Sequence, residues 1–305
     1  MKPHPNNVCS GCYFDWLEVN LLPECNGSCP WCVEALGYHP TSRVSWGELL
    51  GAALETGRQN IILLGGEPTL HRDLENLIEM LDHHGRNVYM TTNGALLTPE
   101  FVTNKLLRLT GINISVHHFA LTENEKITGV KLDAVVLRDA ITALVQAGVA
   151  VRLNCNLIKG YVDSHEEIKH FTYFAKGMGV TSVRFAELKL DEDQFVNIHQ
   201  VTAGEYNGTN NEPFGLGCST EAEIDGVPVN FRQMCGLQTP LRPKPEHPVQ
   251  PDKAVLYYDG VVYPGWQCPG ELSNIAVLSL LKDVAVNRRT VAEAEALLNP
   301  KEMRS

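Results

Sequence analysis

Between Asp15 and about Leu190, short runs rich in β-branched and aliphatic residues alternate with longer stretches of helical periodicity. The short runs predict strands over Trp16–Leu22, Asn60–Leu64, Asn87–Thr91, Ile112–Val116, Val149–Leu157 and Ser182–Glu187. Between them, Leu74, Leu77, Ile78 and Leu81 share one helical face, which predicts a helix packed on a sheet. Helix starts are signalled by Ser45 with Glu48, by Ser164 with Glu167, and by Thr98 followed by Pro99. A further helix is predicted over Leu132–Ala147, ending near Gly148.

Strands that alternate with helices pair in parallel through right-handed crossovers. The β/α units are too few for a closed eight-stranded barrel. The expected fold class is therefore α/β: a partial (β/α)6 TIM-like barrel over residues 1–190. Beyond about Leu190 the pattern changes, and residues 191–305 are expected to form a smaller C-terminal α+β extension. Strand-like pieces lie around Val227–Phe231 and Ala254–Tyr258, and Asp259-Gly260 is a turn signal before Val261-Val262-Tyr263. A last helix is expected from about Thr290.

Composition narrows the function. With 305 residues and 44% hydrophobic content, a substantial core is expected. The formal net charge of −11 argues against a nucleic-acid partner, which calls for a basic face. No apolar run is long enough to span a bilayer, and Met1–Ser10 lacks the apolar stretch of a signal peptide. The expected location is cytoplasmic, where the nine cysteines stay reduced and clustered thiols read as metal ligands.

Candidate chemistry gathers at the C-terminal ends of the predicted strands, where working residues of such sheets collect. Cys25, Cys29 and Cys32 follow the first strand. Three thiolates at this spacing suit three irons of a [4Fe–4S] cube with one iron left open. They also suit zinc if Cys9 or Cys12 completes a four-ligand site. Gly65-Gly66-Glu67-Pro68 ends the second strand, where glycines admit a ligand close to the backbone and a carboxylate can take hydrogen bonds from an ammonium group. Thr91-Thr92-Asn93-Gly94 ends the third, Ser115 the fourth, and Asn154 and Asn156 stand near the end of the fifth, before Lys159-Gly160. Each alone reads as a turn. Polar groups at one edge of successive strands read as a site.

These motifs, in this order, resemble the radical S-adenosylmethionine (SAM) superfamily over roughly residues 15–190. The resemblance implies that Cys25, Cys29 and Cys32 ligate a [4Fe–4S] cluster whose open iron is chelated by SAM. It implies that Gly65, Gly66 and Glu67 meet the methionine amine, and that Trp31 lies near the adenine, bordered by Ile158 and Gly160. Thr92, Asn93, Ser115 and Asn156 are implied contacts to methionine or ribose. The implied chemistry is reductive cleavage of SAM to methionine and a 5′-deoxyadenosyl radical, which abstracts hydrogen from a substrate. An electron donor of the flavodoxin or ferredoxin type is implied as partner.

The segment Tyr258–Trp266 resembles the hairpin of Twitch or SPASM extensions, which carry auxiliary iron–sulfur clusters. Cys218, Cys235 and Cys268 are fewer cysteines than a SPASM domain carries. They are expected to hold one auxiliary cluster with an open or non-cysteine fourth position. In a rival reading no second cluster forms, and Cys235 or Cys268 is a catalytic hydrogen-atom donor. Cys155 reads as core, and Cys9 and Cys12 as free thiols. His117-His118 reads equally as exposed loop or as substrate contact, Arg184 and Glu187 as cavity groups or an interstrand ion pair, and His71 as structural.

The expected function is hydrogen abstraction from a polar small-molecule biosynthetic intermediate: a sugar, aminocyclitol or nucleoside. Epimerisation, dehydrogenation and rearrangement remain open as outcomes. The alternatives are radical modification of a ribosomal peptide, and a non-catalytic zinc or iron–sulfur binding protein.

Overall fold

A computed structural model describes residues 16–36, 39–188, 193–202, 219–232 and 254–264. Cys9, Cys12, Cys218, Cys235, Cys268 and the helix expected from Thr290 lie outside the described residues.

The six expected strands are present: β1 (Trp16–Asn20), β2 (Asn60–Leu64), β3 (Asn87–Thr92), β4 (Gly111–Ser115), β5 (Ala150–Asn156) and β6 (Ser182–Ala186). They pair in parallel in sequence order, as the partial (β/α)6 barrel requires. Four more strands extend the sheet at its two edges. β7 (Ser219–Ile224) and β8 (Val227–Arg232) form an antiparallel hairpin whose inner strand runs parallel to β6. Its turn, Asp225-Gly226, takes positive φ at both residues, the conformation that suits a two-residue hairpin. β9 (Ala254–Leu256) runs parallel to β1, and β10 (Val262–Pro264) closes that hairpin. The expected boundary near residue 190 falls outside the described residues, and the described strands beyond it join the barrel's own sheet.

The helices are α1 (Val33–Leu36), α2 (Trp46–Glu55), α3 (Leu74–His83), α4 (Pro99–Lys105), α5 (Leu121–Thr128), α6 (Ala134–Gln146), α7 (His165–Met178) and α8 (Ile198–Thr202). Their caps follow the sequence signals. Ser45 and Glu48 form a reciprocal capping box on α2. Thr98 Oγ1 accepts from the Phe101 amide ahead of Pro99. Ser164 accepts from the Glu167 amide, but the Glu167 carboxylate takes the amide of Asp163, one residue earlier than the box requires. Leu74, Leu77, Ile78 and Leu81 are buried under α3 as their spacing predicts. Among the described residues no helix is long and apolar enough to cross a membrane.

Strand alternation sorts side chains to two faces. Leu17, Val19, Ile61, Leu63, Met90, Ile114, Val151, Leu153 and Phe185 face the helices in one continuous core. The opposite face lines the lumen and is largely polar, with Glu18, Thr91, Asn113, Arg152, Asn154 and Arg184. Layers of branched apolar side chains normally fill a closed barrel. Here a cavity of about 160 Å³ stands among polar groups instead.

Candidate functional site

The cysteine loop leaves β1 and is held by backbone on two sides. The Leu21 amide donates to Leu64 (2.9 Å), Gly66 to Leu22 (2.7 Å) and Glu67 to Glu24 (2.8 Å), so the start of the loop continues the β1–β2 pairing. Farther on, the Ser28 amide donates to Thr128 at the end of α5 (2.7 Å). Gly65 and Gly66 make the first contact possible: a Cβ on Gly65 would stand 2.6 Å from the Leu22 carbonyl, and one on Gly66 would collide with the Glu24 carbonyl. Gly65 also takes a φ of 144°, which L side chains rarely adopt.

Cys25 is exposed, whereas Cys29 and Cys32 are half-buried. Burial pushes the Cys29 thiol up to about 12, and the charges of Cys32 and Cys25 add to the shift. Burial also raises Cys25, against a hydrogen bond from the Gly27 amide (3.3 Å) that favours its thiolate. Neighbouring thiols become thiolates together when a cation sits among them, which is how metal binding displaces thiol protons. Among the described residues no three His, Cys, Asp or Glu converge on the position of one ion. Three thiolates of one loop can each take a different iron of a cubane, so the donor set, by its chemistry, fits a cluster.

Glu67 joins two strand ends. It is 1% exposed. Its Oε1 accepts from the Thr69 amide (3.0 Å) and the Thr92 hydroxyl (2.6 Å), and its Oε2 accepts from the Asn93 amide (2.7 Å). Asn93 Nδ2 in turn donates to Asn26 Oδ1 (2.6 Å) and approaches Cys25 Sγ (3.8 Å). Thus Glu67, Thr92 and Asn93 form a clamp that registers the ends of β2 and β3 against the cysteine loop. Asn20 Oδ1 offers an acceptor at this edge: it is buried without a hydrogen-bond partner, and a Cβ on Gly65 would stand 3.0 Å from it. An ammonium group supplies the donors such an acceptor lacks.

A second cluster of side chains stands beside the third cysteine. Trp31 is buried with Ile127, Ile158 and Leu188, and Tyr161 packs against them. The His117 ring meets Trp31 edge-on, with ring centroids 5.6 Å apart. His117 Nδ1 accepts from the Asn156 amide (3.1 Å), its own amide donates to Asn124 Oδ1 (2.7 Å), and burial lowers its pKa to about 4. The imidazole is therefore neutral, with its proton on Nε2. His117 and His118 are 5% and 9% exposed, so neither is an exposed loop residue. Ser115 is half-buried and lies in register with Asn154. Gly160 turns the chain at a φ of 84°, its amide donating to Asp163 Oδ2 (2.6 Å).

The remaining candidates divide. Arg184 faces the cavity, and its Nε donates to Asn230 Oδ1 (2.9 Å). Glu187 lies past the end of β6, where its Oε1 accepts from the Ile198 amide (3.1 Å). Cys155 is buried in the core, and His71 caps the 3-10 turn Pro68–Leu70 with its Nδ1 accepting from Asp73. Sequence reasoning missed Asn20, Glu34, Arg152 and Arg232. Glu34 is buried beside the loop, where Asn20 Nδ2 donates to it (2.7 Å) and burial raises its pKa to about 7. A signal for Arg152 existed: Arg152 and Asn154 alternate with Val151 and Leu153, the period of a strand with one polar face.

Comparison with known proteins decides the family. The family model described as Radical SAM superfamily matches residues 19–172, just over half of the 305-residue chain. The chain belongs to the radical SAM superfamily. Enzymes of this superfamily use a [4Fe–4S] cluster and SAM. Among curated radical SAM relatives, a probable GTP 3′,8-cyclase of Metallosphaera sedula is 33% identical over 185 residues, covering 56% of this chain and 55% of that protein. The GTP 3′,8-cyclase of Aquifex aeolicus is 28% identical over 180 residues, with the same coverage. The chain thus spans about half the length of the curated relatives it matches. Among solved structures, Streptococcus suis SuiB bound to S-adenosylmethionine has a TM-score of 0.56 at 15% identity, covering 90% of this chain and 68% of that one. That likeness shows the shared fold.

Proposed function

We propose that this radical SAM enzyme cleaves SAM reductively and abstracts hydrogen from a small polar molecule bound in the barrel lumen. The observation that carries the reading is the cysteine loop seated on Gly65-Gly66, beside the unpartnered Asn20 carbonyl. When bound, the cluster and SAM supply an electron and a 5′-deoxyadenosyl radical. Cys25, Cys29 and Cys32 hold the cluster. Asn20 and the Gly65–Gly66 turn receive the methionine amine. Glu67, Thr92 and Asn93 keep that edge in register through their clamp. Trp31 and Ile158 wall the adenine and exclude water from the reacting bond. Ser115, Asn156 and Gly160 border the nucleoside. A flavodoxin- or ferredoxin-type donor supplies the electron. Cys218, Cys235 and Cys268 hold an auxiliary cluster. The curated relatives act, by their names, on GTP, so the proposed substrate class includes nucleotides.

Anaerobic reconstitution tests the reading. Reduced enzyme incubated with SAM should release 5′-deoxyadenosine and methionine, and Cys29→Ala should release neither. Iron should approach about eight atoms per chain with the auxiliary cluster and about four without it. Full occupancy by zinc with no cleavage of SAM would overturn the proposal.

A further inference from the structure

Of the three loop cysteines only Cys25 is exposed, and two N–H groups from different parts of the fold meet its sulfur. The Gly27 amide donates to Cys25 Sγ from within the loop (3.3 Å). Asn93 Nδ2 reaches the same sulfur from the end of β3 (3.8 Å), within the longer reach of an N–H···S bond. The Asn93 side chain has one orientation that satisfies its neighbours. The Ala95 amide donates to its Oδ1 (3.0 Å), so the nitrogen faces the cysteine loop. An amide nitrogen carries a pair of protons. Asn26 Oδ1 takes one (2.6 Å) and Cys25 Sγ the other. Both are spent on the loop, which leaves this side chain no donor for SAM. The backbone of Asn93 is fixed as well, its amide donating to Oε2 of the buried Glu67 (2.7 Å). Gly27 is equally confined: a Cβ there would stand 3.0 Å from Val130 Cγ2 and 3.3 Å from the Thr128 carbonyl. Both donors are therefore held in place by contacts of their own.

We infer that Asn93 is a redox-tuning residue: its Nδ2–H, together with the Gly27 amide, raises the reduction potential of a cluster ligated through Cys25. The inference rests on the radical SAM reading for that ligation. Reduction adds an electron, and the ligand sulfurs share the added negative charge. A hydrogen bond to a charged acceptor is stronger than one to a neutral acceptor, so N–H groups on the sulfur favour the reduced state. Solvent dipoles at an exposed sulfur must reorient as the electron arrives, whereas fixed N–H groups need not. Asn93 thus eases electron uptake from a flavodoxin- or ferredoxin-type donor, at the expense of driving force toward the sulfonium. The isosteric aspartate would reverse the effect, turning a carboxylate toward both Cys25 Sγ and Asn26 Oδ1.

The test is a redox titration, followed by electron paramagnetic resonance, of the full-length enzyme reconstituted with iron and sulfide in the absence of SAM. Where two clusters load, the signal that later responds to added SAM is the one scored. At the wild-type midpoint, Asn93→Ala should lower the ratio of reduced to oxidised cluster by about threefold or more, and Asn93→Asp should lower it further. Asn26→Ala breaks the tether to the loop but keeps the N–H at the sulfur, so its midpoint should match the wild type. Wild-type midpoints in both Asn93 variants would overturn the inference. So would an equal fall in Asn26→Ala, which would assign the effect to the tether. A second measurement decides the matter if the Asn93 variants load no iron. In Asn26→Ala enzyme isotopically labelled at the asparagine side-chain nitrogen, pulsed resonance of the reduced state should show that nitrogen coupled to the cluster, and no coupling would overturn the inference. Wild-type enzyme from the same preparation is assayed for iron and for 5′-deoxyadenosine. Cluster loading and SAM cleavage with unmoved midpoints defeat the inference and leave the radical SAM reading standing. A wild type that loads no cluster and cleaves no SAM defeats both.

Discussion

Glu67 shows how a motif residue acts through its neighbours. A carboxylate buried at this depth is tolerated because Thr69, Thr92 and the Asn93 amide all donate to it. Replacing Thr92 by the isosteric Val removes one donor to a buried carboxylate and leaves Oε1 with the Thr69 groups alone. Thr92→Val should destabilise the protein by about 1–3 kcal/mol, read as the shift in urea midpoint, and an unchanged midpoint would contradict the clamp. His117 makes a pH prediction. Its pKa is lowered from 6.5 to about 4 by burial, so between those values the unfolded chain binds a proton that the folded chain refuses. Stability is then full above pH 6.5 and falls as pH drops toward 4. The loss from this group between pH 7.5 and pH 5 is about 2 kcal/mol. His117→Asn keeps an acceptor near Nδ1 without the titration, so its stability should fall less over the same interval. An identical fall in both proteins would remove His117 from the account.

At the scale of elements, the loop and the β2 turn depend on each other's backbone. The glycines at 65 and 66 are needed less for the ligand than for the loop, whose carbonyls occupy the space a Cβ would fill. Gly66→Ala should leave the barrel folded by circular dichroism and yet lower the iron bound per chain severalfold, because the loop can no longer seat on β2. Full iron loading in that variant would show that the contact is dispensable. Much at this scale was legible in the sequence. Ser45 and Glu48, Thr98 and Pro99, and the Leu74–Leu81 spacing each encode a helix end or face through contacts a few residues apart. β7 was not legible, since Ser219–Ile224 carries two glutamates and gains its place from pairing with β8.

At the scale of the molecule, the strands after residue 190 brace the sheet at both edges. The β9–β10 hairpin reaches the cysteine loop indirectly: the Tyr258 hydroxyl donates to the Pro40 carbonyl (3.2 Å), Arg43 lies over the Tyr258 ring (5.4 Å), and Arg43 pairs with Glu24. Loop, hairpin and barrel should therefore respond together to metal. Loading the cluster binds the folded loop and not the unfolded chain, so reconstituted enzyme should melt several degrees above the iron-free protein, and chelation should reverse the gain. Equal melting temperatures would mean that the loop is already as ordered without iron.

The sequence by itself determined the strand and helix rhythm, the three-cysteine loop and the family to which they point, because these are encoded in local spacing and in residue types with few alternatives. The tertiary structure decided what those residues touch. It turned Glu67 and Thr92 into a clamp, buried His117 against Trp31, and put Arg152, Arg184 and Arg232 on one wall of one cavity although they come from three strands spread over some eighty residues. Side-chain convergence of that kind depends on register and sheet curvature, which are properties of the assembled barrel and of no single segment.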